Sequence, residues 1–456
     1  MTYPLEFLNT IIKAYDIRGL VEDQITPDFA FVVGAAFARY LEEEREPGTI
    51  VVGEDMRPSS SELAEAFADG ATSQGMDVIR IGLASTDMLY FASGKLNLPG
   101  IMFTASHNPA AYNGMKLCKS GARPIGQESG LLRIKELISR GVEIKLRPAG
   151  KVREENLLND YVDFLLSLFP TVSQKSGRDL KVVIDAGNGM AGYTAPAVMA
   201  RLNVDVVPMY FELDGNFPNH EANPIEAKNL VDLQKRVLAE GADIGLAFDG
   251  DADRCFLVNE KGELVNPSAL TALVAVRELK RKPGSTIIYN LISSRAVPEV
   301  VAEHGGTSVR SRVGHSYIKK MMAETGAIFG GEHSGHFYFA DFWKADSGML
   351  AALFALAELG ESDMPLSELF QPYNRYLASG EINTVVADAQ ASMAAIVAAY
   401  EAGHEIDHLD GITVTGQGYW FNVRPSNTEP LLRLNVEAGS QAELERVTKE
   451  VQKIIG

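Results

Sequence analysis

Four short polar segments in this chain each follow an apolar run, and their side chains could do chemistry together. Thr104-Ala-Ser-His-Asn-Pro109 offers a hydroxyl beside an imidazole. Asp249-Gly-Asp-Ala-Asp-Arg254 offers three carboxylates at alternate positions. Gly331-Glu-His-Ser-Gly-His336 offers a carboxylate, a hydroxyl and two imidazoles. Arg424-Pro-Ser-Asn-Thr-Glu-Pro430 offers a guanidinium followed by small hydroxyl and amide groups. The set amounts to a nucleophile, a cation cage, a polyol reader and an anion clamp. Such an inventory suits phosphoryl transfer on a sugar.

Each segment has its own chemical logic. An unassisted serine is a weak nucleophile, so Ser106 needs a base or cation beside it. His107 could assist, and Lys116 could neutralise phosphate. Taken alone, the segment also reads as an Asn-Pro turn. Asp249, Asp251 and Asp253 would repel one another unless a cation intervened, and hard oxygen ligands suit Mg2+ or Ca2+. An EF-hand loop is the obvious alternative, with Glu260 at its twelfth position. Arg254 stands where that loop needs glycine, so a Mg2+ site at a strand end fits better. Glu332 could accept hydrogen bonds from two sugar hydroxyls, and His336 could shuttle a proton, while His333 reads as structural. Arg424 matches phosphate in bidentate fashion. Ser426, Asn427, Thr428 and nearby backbone amides could complete an anion nest. The competing reading there is a proline-bounded turn.

The elements around these segments alternate. Strands are expected at Thr49 to Gly53, Met76 to Ile81, Gly100 to Phe103, Leu180 to Asp185, Asn203 to Val207, Ile244 to Phe248, Cys255 to Val258 and Thr286 to Tyr289. Helices are expected at Ser60 to Gly75 (with an N-cap serine and a glycine stop), Leu131 to Arg140, Ser268 to Lys280 and Ser347 to Leu359. Strands alternating with helices predict βαβ units and mostly parallel sheets. From about residue 370 the pattern changes. Ile382 to Val386, Gly411 to Thr415 and Pro430 to Val436 alternate like half-exposed strands, which predicts an α+β domain with an antiparallel sheet. The motifs fall at strand ends, where open α/β sheets place their sites.

Composition narrows the class. A chain of 456 residues exceeds one compact core. A hydrophobic share of 46% with 22% charged residues is ordinary for a globular protein. A net charge of -18 disfavours nucleic acid as the main partner, so anionic substrates need a local cationic cluster. The longest apolar stretch, Met349 to Leu359, is too short to span a bilayer, and no membrane partner is expected. No secretory signal is visible at the start. Cys118 and Cys255 are the only cysteines, which fits a reducing cytoplasm.

The four segments, in this order, resemble the α-D-phosphohexomutase superfamily, and within it bacterial phosphomannomutase/phosphoglucomutase. Lys13-Ala-Tyr-Asp-Ile-Arg-Gly19, Val52-Gly-Glu-Asp-Met-Arg-Pro-Ser-Ser60, Asn113-Gly-Met-Lys116 and Val313-Gly-His-Ser-Tyr-Ile-Lys319 extend the match across the chain. The resemblance implies four domains around a central cleft. Three would be similar α/β domains: 1–150 with a phosphoserine loop, 151–254 with a Mg-binding loop and 255–367 with a sugar-reading loop. The fourth, 368–456, would be a TATA-binding-protein-like α+β domain with a phosphate-binding loop. It also implies roles. Ser106 would be the phosphoserine, and its phosphate oxygen would join Asp249, Asp251 and Asp253 on Mg2+. Arg254, Lys116 and His107 would surround the moving phosphoryl group. Glu332 and Ser334 would read the hexose, and Arg424, Ser426, Asn427 and Thr428 would hold the unreactive phosphate. Tyr15, Arg18, His315 and His336 would line the cleft.

The implied activity is interconversion of hexose 1-phosphate and hexose 6-phosphate through a hexose 1,6-bisphosphate. The alternatives are a phosphoglucosamine mutase, a Mg-dependent sugar phosphatase and a noncatalytic sugar-phosphate binder. His333 and Asn427 stand where the glucosamine subgroup usually has glutamine and glycine. Two departures are visible. Asn290-Leu-Ile-Ser-Ser-Arg295 lacks the cleft lysine of some relatives, with Arg295 the neighbouring cation. Gly82-Leu-Ala-Ser-Thr-Asp-Met88 replaces a proline-containing loop.

Overall fold

The computed structural model describes residues 2–143, 148–169, 178–425 and 431–456, without the side chains of residues 315 and 316. Alternating strands and helices build four sheets. By packing, the chain divides into two compact units, Met1–Val265 with Ser334–Leu369, and Asn266–His333 with Phe370–Gly456. Among the described residues no helix is long and apolar enough to cross a membrane.

The first sheet of the first unit runs Ile17–Leu20, Tyr112–Lys119, Gly100–Phe103, Thr49–Glu54, Asp77–Leu83 and Val152–Glu154, with Arg123–Pro124 beside the second strand. Its apolar central strands are buried on both faces, as parallel strands under helices must be. The helices Pro27–Glu43 and Ser60–Ser73 cover it at very close range. A Cβ at Gly34 would lie 2.2 Å from the Phe67 carbonyl oxygen, and one at Gly70 would lie 2.0 Å from that of Phe31. Phe29, Phe37, Phe67 and Phe103 fill the core beneath.

The expected glycine stop is there, with Gly75 at φ 78°. The expected serine cap is not. Ser59 occupies the cap position without bonding the helix. Its hydroxyl and that of Ser60 accept instead from Asn113, and Ser60 Oγ donates to Asp55 at 2.6 Å. Buried partners outcompete the local cap.

The second sheet runs Leu264–Val265, Cys255–Asn259, Ile244–Phe248, Leu180–Asp185 and Val204–Met209. Both sheets are mixed rather than mostly parallel. Gly100–Phe103 and Tyr112–Lys119 pair antiparallel, as do Ile244–Phe248 and Cys255–Asn259. A parallel crossover needs about a dozen residues or more, and the links 104–111 and 249–254 are too short for one. Those two links are the serine and aspartate segments. Each is therefore a hairpin loop at the carboxyl end of a buried strand. The return strand brings Lys116 back opposite Met102.

In the second unit, Thr307–Ser311, Thr286–Asn290 and Phe329–Gly331 pair in parallel. A separate antiparallel sheet runs Leu377–Val385, Leu431–Ala438, Tyr419–Pro425, Ile412–Thr415 and Glu405–Asp407. Helices Ala389–Tyr400 and Gln441–Ile455 pack on it around Ile396, Phe421, Leu434 and Val447. This is the α+β pattern expected from the alternation.

Candidate active site

The buried strand Gly100–Phe103 delivers Ser106 to a tight loop. The Ser106 N–H donates to Thr104 Oγ1 at 2.9 Å, and its backbone takes the left-handed conformation at φ 51°. A non-glycine residue there is uncommon and is a feature of functional loops. Ser106 Oγ lies 2.9 Å from Asp249 Oδ2 and 3.1 Å from His107 Nδ1. The hydroxyl proton therefore has two acceptors within reach. Burial, reinforced by Arg254 and Arg18, pushes the His107 imidazole well below its usual range and keeps it neutral.

The aspartate loop lies against the serine loop at backbone distance. A Cβ at Gly250 would come 2.3 Å from the Ser106 carbonyl oxygen, so only glycine fits. Asp249 takes the Arg254 Nε at 2.8 Å and the Arg254 N–H at 3.1 Å. Lys116 Nζ bridges Asp251 and Asp253 at 2.6 and 2.7 Å. All three carboxylates are buried. Burial pushes Asp249 up to about 6, with Arg254 opposing and the other two aspartates adding. Asp251 is buried too, but the Lys116 charge overrides burial and holds its carboxyl well below the usual range. The same pairing outweighs burial at Lys116 and keeps its ammonium charged.

One ligand oxygen from each aspartate falls within 4.8 Å of the other two. Among the described residues Asp251 Oδ1 and Asp253 Oδ1 are buried and accept no hydrogen bond. Buried carboxylate oxygens left over in this way, all hard donors, fit a divalent cation of the Mg2+ type.

His336 joins this group. Its backbone bridges to that of Arg254, and Cys255 N–H donates to the Gly335 carbonyl at 3.2 Å. His336 Nε2 stands 3.5 Å from Asp253 Oδ1 and 3.9 Å from Asp346 Oδ2, and Ser334 Oγ lies 3.1 Å from its Nδ1. Arg18 reaches the serine loop through Asn108 Oδ1 at 2.6 Å while resting on Asp16. Tyr15 is partly exposed in the bend just before it.

The first unit thus gathers Ser106, His107, Lys116, Asp249, Asp251, Asp253, Arg254, Ser334 and His336 at adjoining strand ends. The remaining candidates belong to the second unit. Glu332 follows the strand Phe329–Gly331 and accepts from Gly314 N–H at 3.1 Å and Asn290 Nδ2 at 3.3 Å. Asn290 also meets His333 Nδ1 at 3.1 Å, which makes His333 a neighbour of the carboxylate. Arg295 contacts Glu437 and the Gly418 carbonyl, and its guanidinium stacks 3.9 Å above Tyr376. Arg424 ends its strand against Glu381 at 2.8 Å, with Arg433 on the other oxygen of that carboxylate. Burial lowers the Arg424 pKa, and Glu381 opposes that effect. Ser426, Asn427 and Thr428 lie outside the described residues, as does the side chain of His315 at the head of helix His315–Thr325.

Residues given no role by the sequence alone brace the site. Thr86 donates its hydroxyl to Asp251 Oδ2 at 2.6 Å and its N–H to the Asp251 carbonyl at 2.9 Å. That gives the Gly82 to Met88 loop a purpose. Beside it, buried Asp87 accepts hydroxyls from Ser85, from Tyr161 at 2.7 Å and from Ser347 at 2.6 Å. Burial pushes Asp87 up to about 6. Arg57 is wholly buried under the serine loop.

The sequence matches four consecutive family profiles, described as phosphoglucomutase/phosphomannomutase alpha/beta/alpha domains I, II and III and the C-terminal domain. They cover residues 9–144, 159–262, 266–376 and 381–454. A phosphomannomutase of Salmonella montevideo is 39% identical over 98% of this chain and 99% of its own length. A phosphomannomutase/phosphoglucomutase of Pseudomonas syringae pv. tomato is 37% identical over 96% of this chain and 93% of its own. The crystal structure of a phosphoglucomutase/phosphomannomutase family protein from Burkholderia thailandensis superposes with a TM-score of 0.89 at 31% identity, covering 100% of this chain and 97% of that one. A serine loop and a carboxylate loop meeting on adjoining hairpins, in a chain with these relatives over nearly its full length, place it in one group: it belongs to the phosphoglucomutase/phosphomannomutase family.

Proposed function

We propose that this chain is a phosphomannomutase/phosphoglucomutase, an isomerase that interconverts hexose 1-phosphates and hexose 6-phosphates through phosphorylated Ser106 and a hexose 1,6-bisphosphate. The observation that carries the reading is Ser106 Oγ, held 2.9 Å from Asp249 and 3.1 Å from His107 on a left-handed backbone. In the first half-reaction the Ser106 phosphoester bond breaks as a bond forms from the sugar hydroxyl to phosphorus. The hydroxyl proton passes to His336, beside the Asp253 and Asp346 carboxylates. In the second half the bond from the other sugar oxygen to its phosphorus breaks as Ser106 Oγ bonds that phosphorus, and His336 gives its proton to the sugar oxygen so freed.

Arg254, Lys116 and His107 steady the charge on the moving group, where positioning and electrostatics dominate. Mg2+ bound by Asp249, Asp251 and Asp253 would supply further neutralisation of phosphoryl oxygens. Glu332 reads hydroxyls shared by glucose and mannose, with Ser334 assisting. Arg424 with Ser426, Asn427 and Thr428 anchors the distal phosphate, and Tyr15, Arg18 and His315 line the path. The division at residues 150, 254 and 367 belongs to the same reading. So does a cytoplasmic setting, supported by the two buried, unbridged thiols Cys118 and Cys255.

A coupled assay with glucose 1-phosphate, mannose 1-phosphate and glucosamine 1-phosphate, primed by a trace of glucose 1,6-bisphosphate, tests the function. Isomerisation of the first two, lost in Ser106→Ala with phosphate found on wild-type Ser106 by peptide mass spectrometry, is the expected result. Release of inorganic phosphate without isomerisation, or full turnover by Ser106→Ala, overturns it.

A further inference from the structure

We infer that Arg57 is a positioning residue for phosphoryl transfer, acting as a template that fixes the Ser106 loop over the aspartate loop. The inference rests on Ser106 being the nucleophile. The guanidinium is fully buried, and its two terminal nitrogens point into one loop. Nη2 donates to the carbonyls of Ser106 at 2.9 Å and Asn108 at 2.7 Å. Nη1 donates to those of Pro109 and Tyr112, both at 2.9 Å. Four carbonyls spread over residues 106–112 thus converge on one planar fork. A lysine ammonium has three donors on a single nitrogen and cannot reproduce that array.

The fork is itself held from the other side. Arg57 Nε donates to Asp55 Oδ2 at 3.2 Å, and Asp55 Oδ1 takes the Arg57 N–H at 3.0 Å and Ser60 Oγ at 2.6 Å. The Phe217 ring lies 5.1 Å from the guanidinium carbon, and a Cβ at Gly215 would come 2.6 Å from Arg57 Cα. Arg57 is therefore wedged between its own strand end, the serine loop and the 215–217 turn.

The grip matters because of where it falls. The Ser106 carbonyl bonded by Arg57 is also the atom against which Gly250 is packed. That one oxygen sets the spacing of nucleophile and carboxylates. Ser106 has φ 51°, a conformation that a non-glycine residue leaves when nothing holds it. Released, the backbone relaxes and carries Oγ away from Asp249. Hexose phosphate would still bind, because none of its proposed anchors touches Arg57. Transfer should fail while affinity survives, a split that general destabilisation does not produce.

The test uses the full chain with Arg57→Lys, and Asp55→Asn as a milder variant that loosens the same fork. Phosphorylation of Ser106 by glucose 1,6-bisphosphate is followed by rapid-quench mass spectrometry. Glucose 1-phosphate affinity is measured by calorimetry. In folded Arg57→Lys, labelling should slow by about 100-fold, the usual effect of an ångström-scale misplacement, with affinity within about threefold of wild type. Asp55→Asn should show the same split at smaller size, and it decides the matter if Arg57→Lys does not fold. Labelling within about threefold of wild type in the deciding variant, or an affinity loss as large as the labelling loss, overturns the positioning role. Wild type that takes no label at Ser106 overturns the nucleophile assignment, and the inference with it.

Discussion

Replacing Thr86 with valine removes one oxygen and little else. The branched shape is kept, the Thr86 N–H still reaches the Asp251 carbonyl, and Ser85 still caps the helix Thr86–Leu96. What is lost is the 2.6 Å hydrogen bond from the hydroxyl to Asp251 Oδ2. A bond to a charged acceptor is worth about 1.5–3 kcal/mol, or roughly 10- to 150-fold in an equilibrium constant. Partners that orient metal ligands typically contribute about 10- to 100-fold in affinity, so the two estimates agree. The hydroxyl also helps hold the Asp251 carboxyl at low pKa, so its removal raises that pKa and makes the defect grow at acid pH. The assay is a Mg2+ titration of glucose 1-phosphate turnover at two pH values, alongside direct Mg2+ binding. The apparent Mg2+ affinity should fall about 10- to 100-fold, with most of kcat restored at saturation. An unchanged Mg2+ midpoint, or a loss of kcat that no Mg2+ concentration repairs, would refute the argument that Thr86 works through a metal-bound Asp251.

Asp87 makes a prediction about stability. Burial raises its pKa in the folded protein to about 6, above the ordinary aspartate value of 3.8, so the native protein binds more protons in that window. Its stabilising share is therefore present at low pH and lost as pH rises from about 4 to about 6, and Asp87→Asn should flatten that limb of the unfolding-stability curve. Chelation should abolish isomerase turnover and Mg2+ should restore it, with Asp251→Asn shifting or eliminating the dependence. Activity unchanged in excess chelator at verified zero metal would contradict the carboxylate site. Glu332→Ala should lower kcat/KM for glucose 1-phosphate and mannose 1-phosphate by similar factors, corresponding to about 1–3 kcal/mol. A loss confined to one sugar would show that Glu332 discriminates at the carbon where they differ.

The residues that could be found in the sequence are those whose chemistry is written locally. Ser106 with His107, and Asp249 with Asp251, Asp253 and Arg254, announce themselves within six-residue segments. The strands that carry them are short apolar runs that burial alone explains. The roles that the sequence does not announce depend on distant partners. Thr86 meets Asp251 across 165 positions and Ser347 meets Asp87 across 260. Arg57 meets the Ser106 carbonyl across 49, and that acceptor is backbone, which no residue type reveals. The Asp-X-Arg after a buried strand, Asp55 to Arg57, was the available signal, since such a pair is rarely buried without a purpose. The mixed sheets were misjudged for a related reason. Alternation of strand and helix suggests parallel pairing, yet the links 104–111 and 249–254, which hold the serine and the aspartates, are too short for a crossover and force the chain straight back.

Those two hairpins constrain what lengths of chain the family fold can tolerate. Met102 faces Lys116 and Phe248 faces Cys255 across antiparallel ladders. Side chains alternate faces along a strand, so a slip of one residue exchanges the two faces completely. A single deletion between residues 104 and 111 that shifted the ladder would bring Leu117 to the place of Lys116 and leave two buried carboxylates facing a leucine. Surface loops elsewhere can lengthen by several residues at small entropic cost. In these two links, an insertion or deletion that shifts the ladder acts as a change of residue type, and libraries that vary loop length should find both of them closed to it.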